Sequence, residues 1–137
     1  MSINKVILIG HTGKAPDVKT FANGGVVAQF SLATTKKGYK TKDGKEIPER
    51  TEWHNIVLMN NLAKIAEQYV KKGDKLYIEG ELRTRSYDDE NSVKRYITEI
   101  YAYNMEMLSP KKDGQNNGQH MTAPTPPPPN PDDDLPF

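Results

Sequence analysis

TEWHNIVLMNNLAKIAEQYVKKGDKLYIEGELRTR, residues 51–85, changes its apolar period twice. From Thr51 to Met59 the period is two, which puts Trp53, Asn55, Val57 and Met59 on one face of a strand and His54, Ile56 and Leu58 on the other. From Leu62 the spacing turns helical through Ile65, Ala66 and Tyr69. Asn60 or Asn61 stands where a cap belongs, and Lys71-Lys72-Gly73 supplies a cationic last turn and a glycine stop. Leu76, Ile78 and Leu82 then restore the strand period and run into Arg83, Arg85 and Tyr87. The segment reads strand, helix, strand, and its helix is the one convincing helix of the chain.

Outward from this segment the signals are those of strands. Lys5 to Ile9 (KVILI) is a short apolar run bounded by Gly10 and Gly13, as a strand buried on both faces would be. Asn23-Gly24-Gly25 supplies the positive φ angles of a tight hairpin turn, and the alternation from Val26 to Ala33 follows it. Thr35 to Arg50 is polar, with Lys36, Lys37, Lys40, Lys42 and Lys45 around Tyr39 and an Asp43-Gly44 turn, and reads as a long hairpin or loop. On the other side, Asp88 to Ser92 turns the chain into a last strand through Tyr96, Ile97, Ile100 and Met107. Three strands, one helix and two strands is the order of an OB-fold, a five-stranded Greek-key barrel that is all-β apart from its helix. Topology of this kind points to binding of oligonucleotides or oligosaccharides.

The 137 residues suffice for one modest core, expected over residues 1–108. After it the composition changes to a linker rich in proline, glutamine and asparagine, 109–131, and then to an acidic end, Asp132 to Phe137 (DDDLPF). The formal charge of +1 conceals an asymmetry. Through Leu108 there are seventeen Lys and Arg against fourteen Asp and Glu, a net +3, and beyond it two against four, a net −2. The absence of cysteine excludes disulfides, thiolate metal sites and a cysteine nucleophile. The apolar run before Gly10 is too short for a signal-peptide core or a membrane span, so a soluble, cytoplasmic protein is expected.

Catalytic chemistry finds little support. Gly10-His11-Thr12-Gly13-Lys14 has two residues between its glycines where a phosphate-binding loop has four, and Ala15 where that loop has Ser or Thr. His11, His54 and His120 show no metal-ligand spacing, and no nucleophile, base and orienting group assemble from the sequence. No catalytic residue, metal or cofactor is expected. Rings among cations are more informative: Tyr39 within five lysines, Trp53 on its strand face, and Tyr87 two residues past Arg85. Unpaired bases stack on such rings while Lys and Arg hold the constant backbone charge, so single strands suit these residues better than duplexes. A core Trp53 with an ordinary solvated lysine face is the competing reading, and an adaptor whose fold binds only protein is the competing function.

The chain resembles the bacterial single-stranded DNA-binding protein family over nearly its whole length. The resemblance rests on NKVILIG from Asn4, NGG from Asn23, FSLAT from Phe30, TEWH from Thr51, KKGD from Lys71, YIEGELRTR from Tyr77 and the terminal DDDLPF, in the family's order. It implies a homotetramer of OB-folds that coats and protects single-stranded DNA, with little sequence preference, in replication, recombination and repair. Trp53 falls at the family's base-stacking position, with Tyr39 and Tyr87 where further stacking rings are common. Met59 stands where a stacking phenylalanine is common, and Asn61 where a lysine is. The thioether of Met59 is a softer platform than a ring. Lys5, Lys72, Arg83 and Arg85 align with cations near the DNA path. Lys36 and Lys42, in the lysine-rich loop around Tyr39, belong with the same DNA-binding set, and His54 falls where a histidine supports subunit association. Nucleoid association in the cytoplasm follows from the same resemblance.

The acidic end has a physical reading of its own. Leu135-Pro136-Phe137 can enter an apolar pocket, the terminal carboxylate can meet a basic residue, and Asp132, Asp133 and Asp134 can steer the peptide to a basic rim. A solubility tail would not need Leu135 and Phe137, and three flexible aspartates without a preformed site make a poor metal centre for a hydrolase. The resemblance implies that this peptide meets DNA helicases, nucleases, primase, a recombination mediator and a polymerase subunit. As a flexible chain, residues 110–131 would span about 25 Å root-mean-square.

Overall fold

A computed structural model of the chain describes residues 1–109. The linker from residue 110 and the Asp132–Phe137 peptide lie outside the described residues. The first strand, β1 (Val6–Thr12), is followed by a hairpin of β2 (Asp17–Thr20) and β3 (Val26–Lys36), turned by Gly24 at φ 86°. Asn23 helps close that turn, its side-chain oxygen accepting from the Gly25 N–H at 3.0 Å. The lysine-rich stretch is a small hairpin of its own, β4 (Tyr39–Lys40) with β5 (Glu46–Ile47), turned by Gly44 at φ 84°. Strand β6 (Arg50–Met59), helix α1 (Asn60–Tyr69), β7 (Lys75–Asp88) and β8 (Lys94–Met107) complete the chain.

The six longer strands form one sheet in the order β1-β7-β8-β6-β3-β2, antiparallel except where β6 runs parallel to β8. That sheet curls until β1 also meets β3, through His11 opposite Ala33 and Thr12 opposite Leu32. Both this contact and the parallel one, Ile56–Ile100 and Val57–Tyr101, are two residue pairs long, so the OB-fold barrel is partly open at its seams. The first seam needs a residue without a side chain. A Cβ on Gly10 would sit 2.2 Å from the Ala33 carbonyl oxygen, far inside van der Waals contact.

Alternation along the strands builds the core. Val26, Ala28, Phe30 and Leu32 of β3, Ile56 and Leu58 of β6, Leu76 and Ile78 of β7 and Ile100 of β8 point inward and are buried. Val57 is buried as well, although it shares the Trp53 side of β6. The helix closes one end of this core with Ala63, Ala66 and the following Val70, and Leu62 packs beside them. Some details differ from the sequence reading. Strand β1, read as buried on both faces, packs Val6 and Leu8 against the core and leaves Ile7 and Ile9 exposed. Ile65 and Tyr69, which helical spacing assigned to the inner face, are exposed, because the buried stripe runs through 62, 63, 66 and 70. Nor does an asparagine cap the helix. Asn60 has φ 54° and takes the chain off β6 through a left-handed step, which asparagine tolerates, and Met59 at the N-cap position makes no side-chain bond. Lys71 and Lys72 lie beyond the last turn, in a turn closed by Gly73 at φ 86°.

Leu82 is also exposed, because β7 and β8 continue past the barrel as a two-stranded ribbon ending at Asp88 and Lys94. Gly80 occupies the inward position before it, at the irregularity in register between Glu79 and Gly80. At the other end of the domain the chain is tied down by the Leu108 N–H, which donates to the Lys75 carbonyl at 2.8 Å, and by the Ser109 hydroxyl, which accepts from the Lys75 N–H at 2.6 Å. Among the described residues no helix is long and apolar enough to cross a membrane.

Candidate nucleic-acid interface

Trp53 lies on the outer side of β6 with 60% of its surface in water. Its ring rests on backbone: a Cβ on Gly13 would be 2.7 Å from Cζ3 and 3.1 Å from Cη2 of the indole. Gly13 is itself fixed, its N–H donating to the Ser31 carbonyl at 3.0 Å. Beside it, Thr12 is buried and joins the 71–74 turn to β1. Its hydroxyl donates to the Lys71 carbonyl at 2.6 Å, and its own carbonyl accepts from the Gly73 N–H at 3.0 Å. One face of the indole is therefore supported and the other is open, and the turn that carries exposed Lys72 is anchored to Thr12, one residue from the ring's support.

Register carries this outward side across the sheet. Val57, on Trp53's side, is opposite Tyr101 of β8, and Tyr101, Glu99 and Ile97 are opposite Glu81, Arg83 and Arg85 of β7. Tyr87 continues the same side of the ribbon, opposite Arg95, and is exposed. Both arginines are held by carboxylates through Nε. Arg83 donates to Glu81 at 2.7 Å and lies 4.4 Å above the Tyr101 ring; Arg85 donates to Glu99 at 2.6 Å and lies 6.0 Å from the Tyr87 ring. Glu99 is 3% exposed and its charge is met by that guanidinium, whose pKa it raises. Between Trp53's strand and Arg85 lies a shallow depression of about 180 Å³, lined by Lys14, Gln29, Ser31, Asn55, Arg85 and Glu99 among others.

The remaining expected residues fall as follows. Met59 is exposed on Trp53's side of β6, at its far end. Tyr39 is exposed on the β4–β5 hairpin, Lys42 sits in that hairpin's turn, and Lys36 ends β3 opposite Arg50. Lys36, Lys42 and Lys72 make no ion pair among the described residues, whereas Lys5 binds Glu79 at 2.9 Å. The hydrogen bond from Lys5, with a second from the Tyr77 hydroxyl, holds the Glu79 carboxyl below its usual pKa, and Glu79 in turn raises that of Lys5. His54 is half-buried, with Nε2 2.8 Å from the Thr34 hydroxyl.

Gly13, Glu81, Glu99 and Tyr101 did not stand out in the sequence. Gly13 drew notice only as a boundary of the first strand and as half of a failed phosphate-loop pattern, and its use depends on a tryptophan forty residues away. Glu99 carried a legible signal, a carboxylate next to Ile100 in a strand that faces Arg83 and Arg85. Among the described residues no group of three or more His, Asp or Glu side chains is placed to hold a metal ion.

An OB-fold whose outer face sets an open indole beside cations and further rings has the construction used to hold unpaired bases. Comparison with known proteins agrees. Residues 3–108 match the family model described as the single-strand binding protein family, and the chain belongs to that family. It is 59% identical over 125 residues to a single-stranded DNA-binding protein of Bacteroides thetaiotaomicron, an alignment covering 91% of this chain and 76% of that one. Among solved structures it resembles a Plasmodium falciparum SSB complex with ssDNA, with a TM-score of 0.72 and 35% identity over 80% of this chain and 97% of that one.

Proposed function

We propose that this protein binds and protects single-stranded DNA, without strong sequence preference, during replication, recombination and repair, and that it is a binding protein and not an enzyme. The observation that carries the reading is Trp53, an exposed indole backed by the Gly13 backbone instead of being sunk in the core. Tyr39, Tyr87 and Met59 extend the stacking surface, each base-ring stack contributing about 1–3 kcal/mol. Lys36, Lys42 and Lys72 meet phosphates directly. Arg85, fixed through Nε by Glu99, keeps both terminal nitrogens for a phosphate; Arg83, fixed through Nε and Nη2 by Glu81, keeps Nη1, and Lys5 must share its charge with Glu79.

Assembly as a homotetramer is part of the same proposal. Strand β1 pairs on one side with β7, while on its other side, among the described residues, only His11 and Thr12 have a partner. That open edge presents Ile7 and Ile9, both more than half exposed, and an apolar unpaired edge is suited to pair with its own copy. His54 is proposed to lie near a subunit contact. The Asp132–Phe137 peptide is proposed to dock DNA helicases, nucleases, primase, a recombination mediator and a polymerase subunit, supported by its change from three acids to the apolar Leu135-Pro136-Phe137. A cytoplasmic, nucleoid-associated site of action follows from this reading.

Salt dependence tests the reading against a protein-only adaptor. Coating predicts that log affinity for a thymidine oligomer falls linearly with log salt, by about 0.7 for each phosphate neutralised. An adaptor predicts no measurable affinity for the oligomer at any salt.

A further inference from the structure

We infer that the second face of the β7–β8 ribbon is an additional single-strand contact, with Tyr96 as its stacking platform and Lys94 as its phosphate contact. The inference rests on the reading of the domain as a single-strand binder and extends it to residues outside the Trp53 face.

Among the described residues, β7 beyond Gly80 pairs only with β8, and β8 from Lys94 to Glu99 pairs only with β7. The first face of this ribbon meets the barrel at Glu99, which is buried, but Thr84, Ser86, Lys94, Tyr96 and Thr98 of the other face are all exposed. A two-stranded ribbon in water has little stability of its own, so the side chains it displays are not explained by core packing. Its first face bears Arg83, Arg85 and Tyr87. Alternation puts Thr84, Ser86, Lys94, Tyr96 and Thr98 on the opposite face. There Tyr96 is opposite Ser86, too small to cover a ring, and at 69% exposure it is more open than Trp53. Lys94 Nζ lies 5.7 Å from the Tyr96 ring centre and makes no ion pair among the described residues, although Asp88 is its partner in register. The hydroxyls of Thr84 and Thr98 bond to each other at 3.1 Å and stiffen the face on which the ring stands. The pairing of ring and cation thus occurs on both sides of one ribbon, and a strand leaving Tyr87 reaches the second pair by crossing the ribbon's edge or tip.

The test compares full-length wild type, Tyr96→Ala, Tyr96→Phe and Lys94→Ala, with labelled thymidine oligomers of about 8 and about 35 nucleotides, the first short enough for one face of one OB-fold. Tyr96→Ala is expected to bind the long oligomer about fivefold or more weakly and the short one unchanged, since one base stack contributes at least about 1 kcal/mol. Tyr96→Phe is expected to match wild type, and Lys94→Ala to lower the salt slope on the long oligomer by about 0.7. Unchanged affinity of Tyr96→Ala for both lengths would overturn the inference. So would a change in sedimenting mass with DNA affinity intact, which would make this face a contact between copies. Wild type failing to bind either oligomer would overturn the single-strand reading itself.

Discussion

Replacing Gly13 with alanine tests the support of the stacking ring without touching the ring. The new Cβ would stand 2.7 Å from Cζ3 of Trp53, and ordinary contact begins near 3.4 Å, so the indole must move by about 0.7 Å or tilt. The backbone of Gly13 is outside the left-handed region, so alanine fits its conformation, and the smaller entropy of the unfolded chain offsets strain with about 0.4–1 kcal/mol. Folding should therefore be close to unchanged, with the cost falling on DNA. Losing much of one stack, about 1–2 kcal/mol, weakens binding about 5- to 30-fold. Anisotropy of a labelled thymidine oligomer measures the affinity, and emission from Trp53, the only tryptophan, reports the displaced ring. In a Trp53→Ala background the same substitution should cost nothing further, since the two residues act as one unit. An unchanged affinity and emission spectrum, or an equal loss in both backgrounds, would refute the reasoning.

Other outcomes follow from the ion pairs and the acidic end. Arg85→Ala should lower Tm more than Arg83→Ala, because it strands Glu99, whose side chain is 4% exposed, whereas Glu81 is 36% exposed and stays hydrated; equal losses in thermal melts would contradict this. The Glu79 carboxyl, depressed in the fold, contributes stability that is present above its unfolded pKa of about 4.3 and disappears as pH falls through the folded value. Glu79→Gln should accordingly be less stable than wild type at pH 7, with the two Tm curves converging below about pH 4. Deleting Asp132 to Phe137 is expected to tighten DNA binding at low salt, by removing acids that compete for the basic face. Equal affinities of the two chains at low salt would exclude that competition.

The strands, the helix and most inward residues were legible because period two and period 3.6 are local properties of the chain; the unbroken apolar run of β1 hid that Ile7 and Ile9 face outward. What failed was whatever a distant partner decides. Ile65 and Tyr69 fit a helical stripe as well as Ala63 and Val70 do, and only the strands beneath α1 choose between them. Leu82 looked like core because alternation cannot reveal where a strand outruns the barrel. Trp53, Tyr39 and Tyr87 were read as exposed rings and are exposed, since each lies among polar neighbours. The cations were harder. Lys5, Arg83 and Arg85 read as available charges, yet each meets a carboxylate whose proximity is set by strand register and side-chain direction. Gly13 beneath Trp53 was beyond any local pattern.

The most direct measurement follows Trp53 fluorescence while a thymidine oligomer, and then a duplex of the same length, is added at two salt concentrations. The account predicts strong quenching by the single strand, weakened at the higher salt, and little response to the duplex. Equal quenching by both, or none by either, would contradict the claim that Trp53 is a platform for unpaired bases.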